Sequence, residues 1–235
     1  MDKVHSPRQN HLLGMLPIHE YEHLLPHLEG VSLTLGDILY QAGSKLSYAY
    51  YCTTSIVSLM YVTMDGSSTE IAIVGNEGIV GVALFMGGET MSSRAVVQSA
   101  GYAYRIRSDL LKQEIRRNES LLLLSLRYTQ ALISQLTQTA VCNRHHLVEE
   151  QLCLWLLLSL DRLSGNELSM AHELIANMLG VRREGVTEAA GTLQRAGLIR
   201  YHRGHITVLN RSGLEARVCE CYQVIKKEYD RILSS

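Results

Sequence analysis

The first half of the chain alternates apolar and polar residues with the period of a β-strand. The alternation is clearest in two runs, which are Val31, Leu33 and Leu35, then Ile56, Ser58, Met60 and Val62. Because successive side chains of a strand point to opposite faces, this pattern predicts short strands. Ten of the eighteen glycines lie between Gly30 and Gly101, and Asp65-Gly66 and Gly87-Gly88 are typical of turns. We therefore predict a β-roll, preceded by short helices near Pro17 and Pro26.

After Asp109 the apolar residues take up helical spacing. One series alternates steps of four and three, which is typical of a coiled-coil seam with a polar register position at its end: Leu122, Leu126, Thr129, Ile133, Leu136, Ala140 and Asn143. A second apolar stripe runs beside it at Leu121, Leu124, Tyr128 and Leu132. A helix with two apolar stripes can pack on its own domain and on a partner helix. We predict dimerisation through the seam; the alternative is a helix buried within one chain.

The long helix is predicted to end or bend at Arg144-His145-His146. A further helix, Leu147 to Leu160, is followed by the loop signal Ser164-Gly165-Asn166.

Residues 172–189 have the spacing of a helix-turn-helix motif. Counted from His172, Ala176 is fifth, Gly180 ninth, Val186 fifteenth and Ala189 eighteenth. The small residue lets two helices cross closely, and glycine tolerates the left-handed backbone of the turn. The complete set favours this motif over an ordinary helical hairpin.

The second helix of the motif is predicted to begin near Arg182. Its first two turns then present five candidate DNA-binding residues: Arg182, Arg183, Glu184, Thr187 and Glu188. This part of a recognition helix enters the major groove, where arginine binds guanine and glutamate accepts from cytosine. Six arginines and only two acidic residues lie between Arg182 and Arg211, although the whole chain has a net charge of -1. The alternative is that these charges form only a solvated face.

Residues 198–209 predict a β-hairpin directly after the motif, with its turn at residues 202–205. Such a hairpin is the wing of a winged helix. Arg200 and Arg203 lie where they could contact phosphates. Because phosphate contacts position a protein without specifying sequence, these two residues should govern affinity more than site choice.

The composition favours a globular protein that does not cross a membrane. The chain has 235 residues, of which 46% are hydrophobic and 19% charged, as expected of globular domains. No apolar run is long enough for a membrane span and the N-terminus does not resemble a signal peptide, so we expect a cytoplasmic protein without a membrane partner.

Candidate chemistry for catalysis or metal binding is weak in the sequence. Five scattered cysteines fit free thiols better than disulfides. Cys219-x-Cys221 has no second pair to complete four metal ligands, so helix packing is favoured there over metal binding or oxidation sensing. His145-His146 and Glu149 lack the H-E-x-x-H order of a metalloprotease. We therefore expect no catalytic residues, no metal and no cofactor.

Taken together, these features resemble the Crp/Fnr family of bacterial transcription regulators, over almost the whole chain. Four strings resemble a large proteobacterial subgroup of it: GNEGIVG (75–81), QALISQLTQTAVCNRHH (130–146), MLGVRREGVTEAAGTLQRAGLIRYHRGHITVLNRSGLE (178–215) and CECY (219–222). The resemblance implies an α+β fold with a cyclic-nucleotide-binding-like β-roll (jelly roll) and helical lead-in at 1–116, a dimerisation helix at 117–146, and a winged helix-turn-helix domain at 147–235. It also implies a homodimer on a pseudo-palindromic site in double-stranded DNA, with RNA polymerase and an unknown effector as possible partners.

The chain departs from the family's nucleotide-binding members at two positions. Those members hold the ribose with a glutamate in Gly-Glu-Leu and the phosphate with an arginine in Arg-Ser-Ala. The first string here is Gly81-Val82-Ala83, and the second is Ser93-Arg94-Ala95. A shift by one residue sends a strand side chain to the opposite face. Binding of cyclic AMP or cyclic GMP is therefore disfavoured, unless a shifted loop restores Arg94.

The sequence gives only weak evidence for other kinds of sensor site. No cysteine precedes Cys52, which disfavours the N-terminal iron–sulfur centre of the oxygen-sensing branch. A haem sensor stays open because five histidines crowd the N-terminal segment, although a polar face is favoured: His5, His11, His19, His23 and His27. A tyrosine group could line a pocket in the roll, although core and surface roles are favoured: Tyr48, Tyr50, Tyr51, Tyr102 and Tyr104.

The recognition helix differs from that of the cyclic-AMP receptor protein in having Glu188 where that protein has an arginine. We expect a half-site that shares part of that operator and differs where Glu188 reaches. The competing hypothesis is a ligand or redox sensor, or a scaffold, whose winged helix binds protein.

Overall fold

The computed structural model describes residues 5–233, so the first four residues of the predicted sensor domain and the last two of the predicted DNA-binding domain lie outside it. It confirms the predicted fold class: strands dominate the first half and helices the second. The helices are α1 His11–Met15, α2 Ile18–Leu24, α3 Ser108–Arg117, α4 Glu119–His145, α5 Val148–Leu160, α6 His172–Leu179, α7 Arg183–Arg195, α8 Arg211–Glu215 and α9 Cys221–Leu233. The strands are β1 Glu29–Leu33, β2 Ile38–Tyr40, β3 Tyr48–Cys52, β4 Ile56–Val62, β5 Ser68–Val74, β6 Arg94–Ser99, β7 Gly101–Arg107, β8 Glu167–Ser169, β9 Ile199–His202 and β10 His205–Val208.

Two antiparallel sheets form the β-roll. One has the strand order β1-β7-β3 and the other β2-β6-β4-β5. The predicted Asp65-Gly66 turn closes the β4–β5 hairpin, where Gly66 has a φ of 88° that favours glycine. The prediction was wrong at Leu35, which lies beyond the end of β1 with 47% of its surface exposed. The left-handed turn at Gly36, with a φ of 87°, interrupts the alternation there.

Strand β4 is buried on both faces from Ile56 to Met60, whereas its alternation predicted one buried face. The second face is covered from outside the sheet, since the side chain of Ser58 is fully buried beside Glu70 and Gln98, and Gln98 Nε2 lies 3.2 Å from Ser159 Oγ on α5. The roll and the helices that follow it therefore share one core.

The long helix α4 ends at His145, as predicted, and α5 begins at Val148. The inner stripe of α4 is buried within the chain, at Leu121, Leu124, Tyr128 and Leu132. Helix α5 is buried on all sides from Gln151 to Leu160, between the roll and the C-terminal helices. In the described chain no helix combines the length and apolarity that a membrane crossing requires.

Residues 75–78, GNEG, form the packing contact between the roll and these helices. A Cβ added at Gly78 would lie 2.1 Å from the ring of Tyr128 on α4, and one at Gly75 would lie 2.7 Å from the side chain of Arg162. Arg162 Nε donates to Glu77 Oε1 at 2.8 Å in an ion pair that is almost fully buried. Only glycine allows so close an approach of backbone and side chain.

The C-terminal domain is a winged helix-turn-helix. Helix α7 packs against α5, α6 packs against α7 and strand β5 of the roll, and the wing strands β9 and β10 follow directly. A short strand, β8, pairs with β10 and gives a three-stranded sheet of order β8-β10-β9. The sequence did not predict β8, because a three-residue strand carries too little periodicity. The last helix, α9, returns to pack along α4.

Candidate DNA-binding interface

The turn between α6 and α7 depends on Gly180. This residue has φ 66° and ψ 31°, the left-handed conformation that closes a helix, and its N–H donates to the carbonyl of Ala176. The N–H of Val181 donates to the same carbonyl at 3.0 Å. A Cβ added at Gly180 would lie 3.0 Å from Thr69 Oγ1 in the roll. The turn therefore requires glycine for its backbone and contacts the sensor half of the chain.

Helix α7 begins at Arg183, with Arg182 as its N-cap residue, which confirms the predicted start within one residue. Val186 and Ala189 are buried, as the helix-turn-helix spacing predicts. The five candidate DNA-binding residues of this helix are all exposed: Arg182, Arg183, Glu184, Thr187 and Glu188. They share one end and one face of α7, because residues three and four apart lie side by side on a helix.

The basic character of this surface comes from arginines that have no acidic partner. Within residues 5–233, none of Arg182, Arg183, Arg200 and Arg203 forms a salt bridge. Arg211, which the sequence analysis counted in the same basic cluster, pairs with Asp161 and with Glu215. Arg195, in the last turn of α7, also forms no salt bridge within the described residues. The unpaired cationic charge of residues 182–211 therefore lies on α7 and on the wing.

The wing is a hairpin whose two-residue turn is Arg203-Gly204. His202 pairs with His205, and both turn residues have positive φ, 47° for Arg203 and 82° for Gly204. This twist matches that of the flanking strands. Arg200 and Arg203 are both exposed, so the turn and the strand before it present two guanidinium groups to solvent.

A joint centred on His172 connects the motif to the wing, and the sequence analysis did not predict it. The imidazole stacks on the ring of Tyr201 in β9, with centroids 3.9 Å apart. Its Nδ1 lies 3.2 Å from Thr187 Oγ1, whose hydroxyl donates to the carbonyl of Arg183. Burial, and secondarily the charge of Arg183, lowers the pKa of His172. His172 therefore contacts α7 and β9 from the start of α6.

The nucleotide-binding positions of the roll are filled by buried side chains. Val82 is 7% exposed and Ser93 1%. Ser93 shares the inward face with Ala95 and Val97, whereas Arg94 lies on the other face of the strand. Burial raises the pKa of the neighbouring Tyr40 to about 12.

The tyrosine group and the N-terminal histidines are dispersed. Tyr51 is fully buried and Tyr50 is buried, whereas three others are half-buried: Tyr48, Tyr102 and Tyr104. His5 stacks on Tyr102, and His11 Nε2 lies 3.2 Å from Asn76 Nδ2. Of the five histidines only His27 is even half-buried.

The outward face of α4 carries an unpartnered apolar stripe. Leu126 and Ile133, two of the predicted seam residues, are 46% and 54% exposed, and Leu123 and Val141 beside them are 47% and 39% exposed. Leu122 and Leu136 of the seam are half-buried, while Ala140 and Asn143 are exposed. Thr129 differs from the rest, because it is buried within its own chain and its hydroxyl donates to the carbonyl of Ser125.

The fold and this surface define a winged helix-turn-helix protein with a cyclic-nucleotide-binding-like roll, and comparison with known proteins agrees. Residues 31–118 match the cyclic nucleotide-binding domain family, and residues 150–217 match the Crp-like helix-turn-helix domain family. No curated protein matches the chain. The chain belongs to the Crp/Fnr family of transcription regulators, as the sequence predicted.

Solved structures share the architecture over most of the chain. FixK2 from Bradyrhizobium japonicum is 16% identical, with a TM-score of 0.69 over 82% of this chain and 98% of its own. A Crp/Fnr-family regulator from Eubacterium rectale is 16% identical, with a TM-score of 0.68 over 90% and 97%. The c-di-GMP-responsive regulator CLP from Xanthomonas campestris is 17% identical, with a TM-score of 0.62 over 82% and 99%. At these identities the likeness establishes a shared fold.

Proposed function

We propose that the protein is a sequence-specific transcription regulator that binds a pseudo-palindromic DNA site as a homodimer. The observation that carries the proposal is the exposed, unpaired arginine surface on α7 and the wing of a Crp-like domain. A chain with a net charge of -1 has no general attraction for DNA, so a local basic footprint on the recognition element is the relevant signal.

Base contacts are assigned to the start of α7. Arg182, Arg183 and Glu184 stand on its first turn, and Thr187 and Glu188 on the next. Arginine binds the O6 and N7 acceptors of guanine, and glutamate accepts from the amino group of cytosine. Arg183 and Glu188 are thus expected to specify sequence, whereas Arg200 and Arg203 hold phosphates.

The roll is proposed to act on this helix without cyclic AMP. A ribose acceptor and an anion-pairing arginine are replaced by the buried Val82 and Ser93, and Arg94 lies on the opposite strand face. The contact between Gly180 and Thr69 offers a route by which a different effector could bias the position of the motif. We expect cyclic AMP to leave both the thermal stability and the DNA affinity unchanged.

The deciding experiment is selection of bound fragments from a genomic DNA library, at two salt concentrations. An enriched motif with two-fold symmetry, bound more weakly at the higher salt, is the expected result. Enrichment of no palindrome would contradict the proposal.

Two variants sharpen this experiment. Arg183→Ala should abolish retention of the selected site, because its guanidinium makes no salt bridge and is free for DNA. Glu188→Ala should relax the preference at one position of each half-site, worth about 1–3 kcal/mol. Unchanged DNA retention in Arg183→Ala would remove Arg183 from the interface. Failure of the wild-type protein to retain any DNA would favour the alternative, in which the winged helix binds protein.

A further inference from the structure

Three of the five cysteines meet at the junction between α4 and α9, together with one histidine. Cys142 lies in the last turn of α4 and His146 follows that helix, four residues later. Cys219 and Cys221 precede and begin α9. Cys219-x-Cys221 has no second ligand pair nearby in the sequence. The missing pair comes from a helix 77 residues away.

The donor atoms of this cluster converge on one point. The three Sγ atoms and one imidazole nitrogen all lie within 4.8 Å of one another. Cys142 Sγ is 3.6 Å from Cys219 Sγ, and Cys221 Sγ is 3.6 Å from His146 Nδ1. In a tetrahedral zinc site, bonds of about 2.3 Å to sulfur and 2.0 Å to nitrogen place two sulfurs about 3.8 Å apart and sulfur and nitrogen about 3.6 Å apart. The two contacts at 3.6 Å match these separations, and all donor atoms of the cluster lie within 4.8 Å of one another.

A second observation concerns the other nitrogen of the imidazole. His146 Nε2 lies 3.4 Å from Glu220 Oε1, while Nδ1 faces the thiols. A histidine that ligates a metal usually donates its second N–H to a carboxylate, which fixes the ring and its tautomer. Gln151 Nε2 also donates to the carbonyl of His146 at 3.0 Å, so the backbone of this ligand is held as well.

We propose a tetrahedral zinc site whose ligands are three thiolates and one imidazole: Cys142, Cys219, Cys221 and His146. Three sulfurs and one nitrogen in this geometry favour Zn²⁺ over the harder divalent cations. The three cysteines are each less than 7% exposed, which is the environment of a closed structural site. The spacing leaves room for a single ion and not for an iron–sulfur cluster, whose several irons and sulfides would hold the thiolates further apart.

The bound ion fastens the C-terminal end of α4 to the start of α9. The chain passes at this end of α4 into the helix-turn-helix domain, and α9 packs back along α4. Removal of zinc is expected to raise hydrogen exchange in residues 140–147 and 217–224 and to lower the melting temperature by about 5 °C or more. The inference does not depend on DNA binding.

The test is the metal content of the full-length, tag-free protein purified under reducing conditions without chelators. We expect one zinc per chain by mass spectrometry of the metal, and about one tenth of that or less in Cys142→Ser and in Cys219→Ser. Cys52→Ser, a change at a buried cysteine in the roll, is the matched control and should retain its zinc.

Cobalt provides a readout that does not depend on the folding of these variants. Titration of the chelator-stripped wild-type protein with Co²⁺ should develop a thiolate charge-transfer band and the intense visible bands of tetrahedral cobalt. Glu220→Gln changes a side chain that is 74% exposed and should keep those bands while weakening zinc binding about 10-fold or more. Absence of the cobalt bands, iron with sulfide in place of zinc, or a metal-free Cys142–Cys219 disulfide would each overturn the proposal.

Discussion

Arg203 is the non-glycine residue with a positive φ among residues 5–233, and it lies at the tip of the wing. A left-handed backbone costs an ordinary side chain about 1–2 kcal/mol, a cost that asparagine largely avoids. The turn with arginine at this position is therefore less stable than the same turn with asparagine would be. The side chain of Arg203 is exposed to solvent. We infer that arginine is retained here for a contact made by its charge, and not for the stability of the turn.

Arg203→Asn separates the charge from the strain. We expect unfolding free energy equal to the wild type or higher by up to about 1 kcal/mol, because asparagine tolerates the turn. DNA affinity should fall, and the slope of log affinity against log salt should decrease by about 1 for each wing that contacts a phosphate. Arg203→Lys is the control, since it keeps the charge and should keep the slope. An unchanged slope in Arg203→Asn would remove the wing tip from the interface.

Gly78 is constrained by packing, because the ring of Tyr128 lies directly against its backbone. A methyl group there would approach the buried Tyr128 ring to 2.1 Å, and that ring cannot yield within a packed core. Gly78→Ala should lower the unfolding free energy by about 1–3 kcal/mol or more. Gly165→Ala, where nothing lies within 4 Å, should change it by less than about 0.5 kcal/mol. Urea unfolding of both variants measures the difference, and equal stabilities would mean that this packing contact can open.

At the scale of elements, α4 has one apolar stripe inside the chain and one that is exposed. Its inner stripe is buried in the chain's own core, whereas the outer stripe is centred on Leu126 and Ile133 with Leu123 and Val141 beside them. The predicted seam is rotated toward Thr129, which is buried, because a heptad count treats the helix as if only one face were in contact. The bond from Thr129 to Ser125 belongs to the inner face.

The dimerisation proposal is tested on this outer stripe. Ile133→Asp places a charge on a surface that dimerisation would bury, so we expect a monomer by light scattering at concentrations where the wild type is a dimer. Its circular dichroism should match the wild type, since Ile133 is 54% exposed in the chain. Ile18→Asp, at an isoleucine on α2 that is 60% exposed, is the control and should remain dimeric. A dimeric Ile133→Asp would place the interface elsewhere.

At the scale of the whole molecule, local features were predictable and distant contacts were not. The helix-turn-helix, the wing hairpin and the end of α4 each depend on residues close in sequence, so spacing and turn chemistry were enough. His172 with Tyr201, and Cys142 with Cys219, join residues 29 and 77 positions apart, and no pattern along one chain encodes such pairs. The string GNEG was noticed as a motif, but its packing reason needed Tyr128 and Arg162 in place.

One polar chain links the roll to the helical half. Burial raises the pKa of Glu70 on β5 to about 8, so this carboxyl is mainly protonated at neutral pH. Ser58 contacts both Glu70 and Gln98 Oε1, yet a serine hydroxyl has one hydrogen to donate. A protonated Glu70 can donate to Ser58, which then donates to Gln98, whose Nε2 donates to Ser159 on α5.

This protonation makes stability depend on pH with a definite sign. Below about pH 4.5, Glu70 is protonated in both the folded and the unfolded state. Between about pH 4.5 and pH 8 it is protonated only in the folded state, so the free energy of unfolding falls as the pH rises. Above about pH 8 this dependence ends. The slope is limited to about 1.4 kcal/mol per pH unit for one proton.

Glu70→Gln keeps a donor toward Ser58 but cannot titrate, so the stability of the wild type relative to this variant should decline from pH 5 to pH 8. Urea unfolding at several pH values measures this difference, with the exposed Glu173→Gln as the control that should parallel the wild type. Parallel curves for wild type and Glu70→Gln would mean that Glu70 is ionised in the fold, and that Ser58 donates to Glu70 instead of to Gln98.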